Sequence, residues 1–216
     1  MSNRKKICFI AGCLGQGGAE RQLFYNVKFL SKMKSDVIVI SFTKGEYWEN
    51  KINKYSKVIT IDEYHNPIIR IFKILKILHE NKIDIVQSQH FFINIYTYIV
   101  SKILRIRGIG AIRSDIKNLE LQKNSFWRRI SLFNVGELSM NSKSAIKTAK
   151  KLGINGKNIH FIPNVIDIDG IEVFDKNNND VINILYVGRL LKSKRVDIFI
   201  SVFKKILALN KFSISA

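Results

Sequence analysis

Short apolar runs alternate along the chain with longer stretches in which apolar positions recur every three or four residues. Lys6–Ala11 (KICFIA), Val37–Phe42 (VIVISF), Lys57–Ile61 (KVITI) and Asp84–Ser88 (DIVQS) have the length of strands, and Ile109–Arg113, Gly136–Met140 and Ile159–Ile162 continue the series. Between them, Ala19–Met33 sets Leu23, Val27 and Leu30 at helical spacing with Phe24 beside them. Pro67 opens a helix to about Glu80, because proline is tolerated in a first turn where its missing N–H would have had no partner. His90–Arg107, Leu119–Phe133 and Ser142–Leu152 complete the set, the last stopped by Gly153, a residue free to turn left-handed. Strands that alternate with helices pair in parallel, since each crossover must return the chain to the same edge; the pattern predicts an α/β domain with a helix-flanked parallel sheet.

A polar stretch, Asp175–Asp180 (DKNNND), interrupts the alternation and predicts a linker. Beyond it, Val181–Val187 (VINILYV) predicts a buried strand and Val196–Leu209 a helix. The pattern therefore predicts one domain over residues 1–174, a linker over 175–180, and over 181–216 the first strand, loop and helix of a second domain, expected to be incomplete. A lone strand–helix pair cannot bury both faces of its strand.

Composition narrows the class. The 216 residues are 46% hydrophobic, enough for a sizeable core, so wholesale disorder is excluded. No run approaches the roughly 18 apolar residues a spanning helix needs, and the apolar run after the basic N-terminal cluster is too short for a signal peptide. Cys8 and Cys13, five apart on the first strand and its loop, suit neither a disulfide framework nor a metal site, and point to the cytoplasm. Thirty-six Lys+Arg against 17 Asp+Glu give a net charge of +19, and residues 100–151 hold twelve of those cations against three acids. Partners for such charge are nucleic-acid phosphates, an anionic membrane surface or phosphorylated small molecules; a solvated basic surface is the plain alternative. No nucleic-acid motif or aromatic stacking platform accompanies the charge, so no specific nucleic acid is expected.

The loop after the first strand carries Gly12, Gly15, Gly17 and Gly18. Glycines let backbone N–H groups approach an anion at the positive end of the following helix, although a tight strand–helix turn explains them as well. A dinucleotide fingerprint from Gly15 fails at Glu20, and a P-loop fails because Gly18 stands where lysine is required. With Glu20 and Arg21 included, however, the run GGAERQ (Gly17–Gln22) resembles the N-terminal domain of the glycosyltransferases of family 4, which have the GT-B fold. The resemblance continues in order through Asp84–His90 (DIVQSQH), Ala111–Ser114, Asn141–Ser142, Ile162–Asp167 (IPNVID) and Leu185–Lys194 (LYVGRLLKSK).

That resemblance implies an α/β fold with a Rossmann-like parallel sheet in a GT-B N-terminal, acceptor-side domain and a truncated second Rossmann-like domain. It further implies transfer of a sugar from a nucleotide donor, a UDP- or GDP-sugar acting as substrate rather than cofactor, with retention at the anomeric carbon and no bound metal. Acceptors would be glycans or lipid-linked sugars in surface polysaccharide biosynthesis. Arg189 and Lys194 would neutralise the donor diphosphate, as fixed positive charge does for a phosphate leaving group, and Gly17 and Gly18 would let the first loop reach it. Family members contact the donor sugar through a histidine at the end of the fourth strand. Here Gln87 and Gln89 occupy the usual positions, and His90 either takes over the contact as a catalytic residue or caps the next helix. Arg113, at the end of another strand, could bind an acceptor phosphate.

Departures from the family pattern accompany these matches. Arg195 replaces a usual glycine, and the paired glutamates of the donor domain are not reached, so the 216 residues alone are expected to turn over little; a missing C-terminal half is an expected partner. Asp167-Ile-Asp169 has the outline of a metal-binding DxD but falls in the IPNVID segment, so no metal is expected there. Asn66–Lys82 intersperses Arg70, Lys73 and Lys76 with Ile71, Phe72, Ile74, Leu75, Ile77 and Leu78. Such a helix packs one face on a sheet or lies on anionic lipid, which would make the protein peripheral at the inner face of the plasma membrane. Phe126–Arg129 is a second aromatic–basic segment of that kind. The rival to an enzyme is a non-catalytic basic module that binds anionic lipid or nucleic acid.

Overall fold

The computed structural model describes residues 4–63, 66–113, 131, 136–154, 158–168, 184–188 and 190–208. Contacts divide the chain into two units, Met1–Ile168 and Asp169–Ala216. The predicted linker at 175–180, most of the predicted helix 119–133, Phe126–Arg129 and Arg189 lie outside the described residues.

In the first unit, β1 (Ile7–Ala11), β2 (Val37–Ser41), β3 (Lys57–Thr60), β4 (Ile85–Ser88), β5 (Arg107–Ile112), β6 (Glu137–Met140) and β7 (Asn158–Phe161) form one sheet in the order β3-β2-β1-β4-β5-β6-β7. Every pairing is parallel. The helices are α1 (Gly18–Lys32), α2 (Glu49–Asn53), α3 (Pro67–Glu80), α4 (Asn94–Leu104) and α5 (Lys143–Lys151). The strands are apolar at successive positions because both faces are covered. Cys8 and Ile10 of β1 join Ile40, Val86, Ile74, Leu78 and Val100 on the face under α3 and α4, while Phe9 and Ala11 join Val39, Leu23, Val27 and Ile52 under α1 and α2. Each such side chain buried contributes about 1.5–3 kcal/mol. Ile112, Leu138, Met140, Ala149 and Ile154 extend the core beneath α5.

Asn66 caps α3 by accepting from the N–H groups of Ile68 and Ile69, with Pro67 in the first turn as expected. The helix expected over His90–Arg107 is shorter. A 3-10 turn, Phe91–Ile93, precedes α4, and Arg105 ends it in the left-handed region at φ 55°, so Arg107 already belongs to β5. Asn94 then ties α4 to the sheet. Its Oδ1 accepts from the Ala111 N–H (2.9 Å) and the Ser88 hydroxyl, and its Nδ2 donates to the carbonyls of Ala111 and Ser131. The segment after β7 returns to α1. Gln22 exchanges two 2.8 Å hydrogen bonds with the Val165 backbone, and Lys28 pairs with Asp167 at 2.8 Å.

In the second unit a 3-10 turn, Lys192–Lys194, leads into α6 (Val196–Ala208). Tyr186 packs on Phe199 with ring centroids 5.1 Å apart and donates to the Lys194 carbonyl at 3.0 Å. Residues 184–187 correct the expectation of a buried strand. They join no ladder among the described residues, and Leu185 and Val187 are 83% and 84% exposed, because no second strand lies beside them there. Arg195 sits at φ 52°, in the left-handed region that favours glycine.

Candidate active site

Strand order reverses between β1 and β4, and at such a switch point the loops leaving the carboxyl ends diverge to form a crevice. Gly12 follows β1 there and His90 follows β4. The Gly12 N–H donates to His90 Nδ1 at 3.2 Å, so the neutral ring carries its proton on Nε2, which lies 2.9 Å from Glu20 Oε1. The Cys13 thiol donates to the same oxygen at 3.2 Å. Phe92 stacks on the imidazole, centroids 5.2 Å apart and planes 14° apart. The side chains of His90 and Glu20 are only 14% and 9% exposed. His90 is the N-cap residue of the following 3-10 turn, but its side chain makes no capping hydrogen bond. With one nitrogen accepting and the other donating, the ring has no free lone pair; it offers a ligand its C–H edge and a fixed dipole.

Two glycines leave room for this arrangement. A Cβ on Gly12 would meet the Phe92 ring at 2.5 Å, and a Cβ on Gly17 would overlap the Glu20 carboxylate, so either would make those side chains shift. Gly18 differs, since a Cβ there meets nothing within 4 Å. Glu20 occupies the first turn of α1, with Gly17 as the extended N-cap, so a carboxylate of the chain itself sits at the positive helix end. Burial opposes its ionisation, but hydrogen bonds from His90, its own backbone N–H and Cys13 outweigh burial and hold the carboxyl below its ordinary 4.5. Burial first, and then the Glu20 carboxylate, push the Cys13 thiol up to about 11, so it is protonated at neutral pH.

Sγ of Cys13, an oxygen of Glu20 and a nitrogen of His90 lie within 4.8 Å of one another, close enough to enclose a cation. The donor chemistry opposes this. A cation on Nε2 would leave the ring proton on Nδ1, facing the Gly12 N–H that now donates to it. The DxD outline fares similarly, since Asp167 is held by Lys28 and Asp169 lies outside the described residues.

The remaining candidates are dispersed. Gln87 reaches Ser139 at 3.5 Å, and Gln89, fully buried, donates to the Ala19 carbonyl, so both glutamines brace the sheet edge. Arg113 follows β5 at the same edge, with no acceptor for Nε or Nη2 among the described residues. Lys194 belongs to the second unit and is exposed. Glu20 is the site residue that sequence reasoning passed over. An acid three residues after a glycine N-cap was the available signal, but it marks first-turn acids generally. Glu46 was also missed; it accepts from the Thr43 hydroxyl at 2.6 Å and from the Leu14 N–H, bracing the glycine loop.

Residues 16–169 match the model of Glycosyltransferase Family 4. The chain belongs to Glycosyltransferase Family 4. No curated protein matched it. Among solved structures, it resembles HepE of Anabaena, crystallised with UDP and glucose, at TM-score 0.61 and 18% identity, over 77% of this chain and 46% of that one. A glycosyltransferase of Rickettsia africae matches at TM-score 0.59 and 17% identity, over 77% and 45%. The lipopolysaccharide outer core galactosyltransferase WaaB matches at 0.57 and 15%, over 77% and 47%. The chain spans less than half the length of each. At these identities the likeness establishes the fold, the Rossmann-like domain of a GT-B glycosyltransferase.

Proposed function

We propose that the protein acts in sugar transfer from a UDP- or GDP-sugar to a glycan or lipid-linked acceptor, with retention at the anomeric carbon and without a bound metal. The observation that carries this reading is the meeting of the glycine loop, Glu20 and His90 at the sheet's switch point, within the segment that matches the family. HepE's complex with UDP and glucose supports a nucleotide-sugar partner. In this reading His90, held by Gly12 and Glu20, contacts the donor sugar. Arg189 and Lys194 hold its diphosphate, and the fixed positive charge stabilises the departing nucleotide. Metal independence is supported by the tautomer of His90, which leaves Nε2 no lone pair for a cation.

We also propose attachment to an anionic membrane surface through α3. Ile74, Ile77 and Leu78 are buried against the core, yet Ile68, Ile69 and Phe72 stand 64%, 50% and 67% exposed near its first turns with Lys76 exposed one turn on, while the Arg70 guanidinium is taken up by the Phe42 ring at 4.2 Å. Each cation near such a surface adds about 1 kcal/mol. Among the described residues no helix is long and apolar enough to cross a membrane.

The test offers a panel of UDP- and GDP-sugars with a membrane-lipid extract as acceptor, with and without a family C-terminal domain in trans, and reads product and nucleoside diphosphate by mass spectrometry. One donor consumed only when acceptor is present, with at least about a hundredfold loss in His90→Ala, is expected. Sedimentation with anionic vesicles while no donor is consumed under either condition would instead favour the non-catalytic lipid-binding module.

A further inference from the structure

Arg107 and Arg113 bracket the two ends of β5 and are treated oppositely by the fold. At the amino end, Arg107 grips Glu137 with the Nε and Nη2 edge of its guanidinium, at 2.9 and 2.7 Å. At the carboxyl end, the same two nitrogens of Arg113 are closed to solvent and meet no acceptor among the described residues. Burial, with no carboxylate to offset it, pushes the Arg113 guanidinium down from its ordinary value. Buried polar groups in folded proteins are nearly always paired, and a desolvated cation with two orphan donors is the costliest kind of exception. Gln87 pairs with Ile109 in the parallel ladder, so Ile112 stands level with His90 and Arg113 opens on the same edge of the sheet, one strand along. The side chain as a whole is mostly buried but keeps some exposure, so a ligand reaches that edge only if the side chain turns about its own torsions.

We infer that Arg113 is the anchor of an oxyanion subsite that binds a phosphate or diphosphate group of the acceptor through its Nε and Nη2 edge. A planar guanidinium fork matches two oxygens of a phosphate, just as Arg107 matches the two oxygens of Glu137. The assignment to the acceptor rests on the reading above, in which Arg189 and Lys194 hold the donor diphosphate.

Thermal melting of the 216-residue chain in chloride and in excess inorganic pyrophosphate, at matched ionic strength, tests the subsite without any transfer assay. The native chain is expected to gain about 3 °C or more in pyrophosphate. Arg113→Met is expected to melt no lower than the native chain in chloride, since it removes an unpaired charge and keeps the apolar stem, and to lose the gain. Arg113→Lys retains part of it, and Lys150→Ala, which removes an exposed cation elsewhere, retains all of it. No gain in the native chain, or the same gain in Arg113→Met, overturns the inference. A short prenyl diphosphate and UDP-glucose separate the sources: a gain dependent on Arg113 with the prenyl diphosphate supports the acceptor, and one with UDP-glucose alone overturns that assignment. Binding through Arg113 with no transfer even when a family C-terminal domain is supplied would fault the enzymatic reading, whereas transfer indifferent to Arg113 would fault the subsite.

Discussion

Glu20→Gln removes one charge and almost no volume from the centre of the site. The carboxylate accepts from His90 Nε2, the Cys13 thiol and its own backbone N–H. An amide has one acceptor oxygen, and its NH2 group must face one of those donors, so a buried donor loses its partner. Losing a bond to an ionised acceptor costs about 1.5–3 kcal/mol, and the orphaned donor adds to it. A total near 3 kcal/mol corresponds to a fall in Tm of about 6–12 °C for a chain of this size. The sign of the pH dependence follows from the carboxyl being held below 4.5. Its contribution is full above that pH and disappears as pH falls through the lower folded-state value, when both states are protonated. Melting curves of native protein and variant by near-ultraviolet circular dichroism, from pH 7 to pH 3, should therefore converge on the acid side. A gap under about 2 °C at neutral pH, or one that stays constant to pH 3, would refute the argument that Glu20 is an ionised, hydrogen-bonded hub.

Gly17→Ala and Gly18→Ala form a contrasting pair. The first drives a methyl into the Glu20 carboxylate and should cost about 1–3 kcal/mol, while the second enters open space and should leave Tm unchanged or slightly higher. Urea denaturation of both distinguishes a required close approach from a generic glycine turn. Cys13, its thiol pushed up to about 11, should resist iodoacetamide at neutral pH; in Glu20→Gln, alkylation at pH 9 should run several-fold faster, read by peptide mass spectrometry. Asn94→Ala strands the N–H and carbonyl of Ala111 in the buried interior and should cost about 2–4 kcal/mol in urea denaturation, whereas an unchanged midpoint would mean that α4 is held by packing alone.

Much of the fold was legible because it is written at short range. Ile7–Ala11 is apolar at every position and Val37–Ser41 at all but its last, since both sheet faces are covered, and Asn66-Pro67 announces the start of α3 by local chemistry alone. Errors came where local pattern is silent. Helix α2, Glu49–Asn53, has too few residues to show a period. The end of α4 was overrun because Ile103, Leu104 and Ile106 continue an apolar rhythm, although Arg105 turns left-handed between them. Residues 184–187 read as a buried strand because apolar composition reports what a segment can bury, not whether a neighbour is present to cover it.

The sequence by itself determined the parallel α/β class, the glycine loop, the basic charge and the ordered motifs that resemble the family. Only the tertiary structure decided how the candidate residues meet. His90 lies 78 residues from Gly12 and 70 from Glu20, and no periodicity carries information across such a distance. Closing β1 beside β4 is what brings the Gly12 N–H to one nitrogen of the ring and the α1 carboxylate to the other, so the tautomer of His90 is a property of sheet order. The contrast between Arg107 and Arg113 has the same origin: one opens β5 and the other follows its last residue, and only the neighbouring strand, which brings Glu137 to Arg107, gives one of them a carboxylate among the described residues.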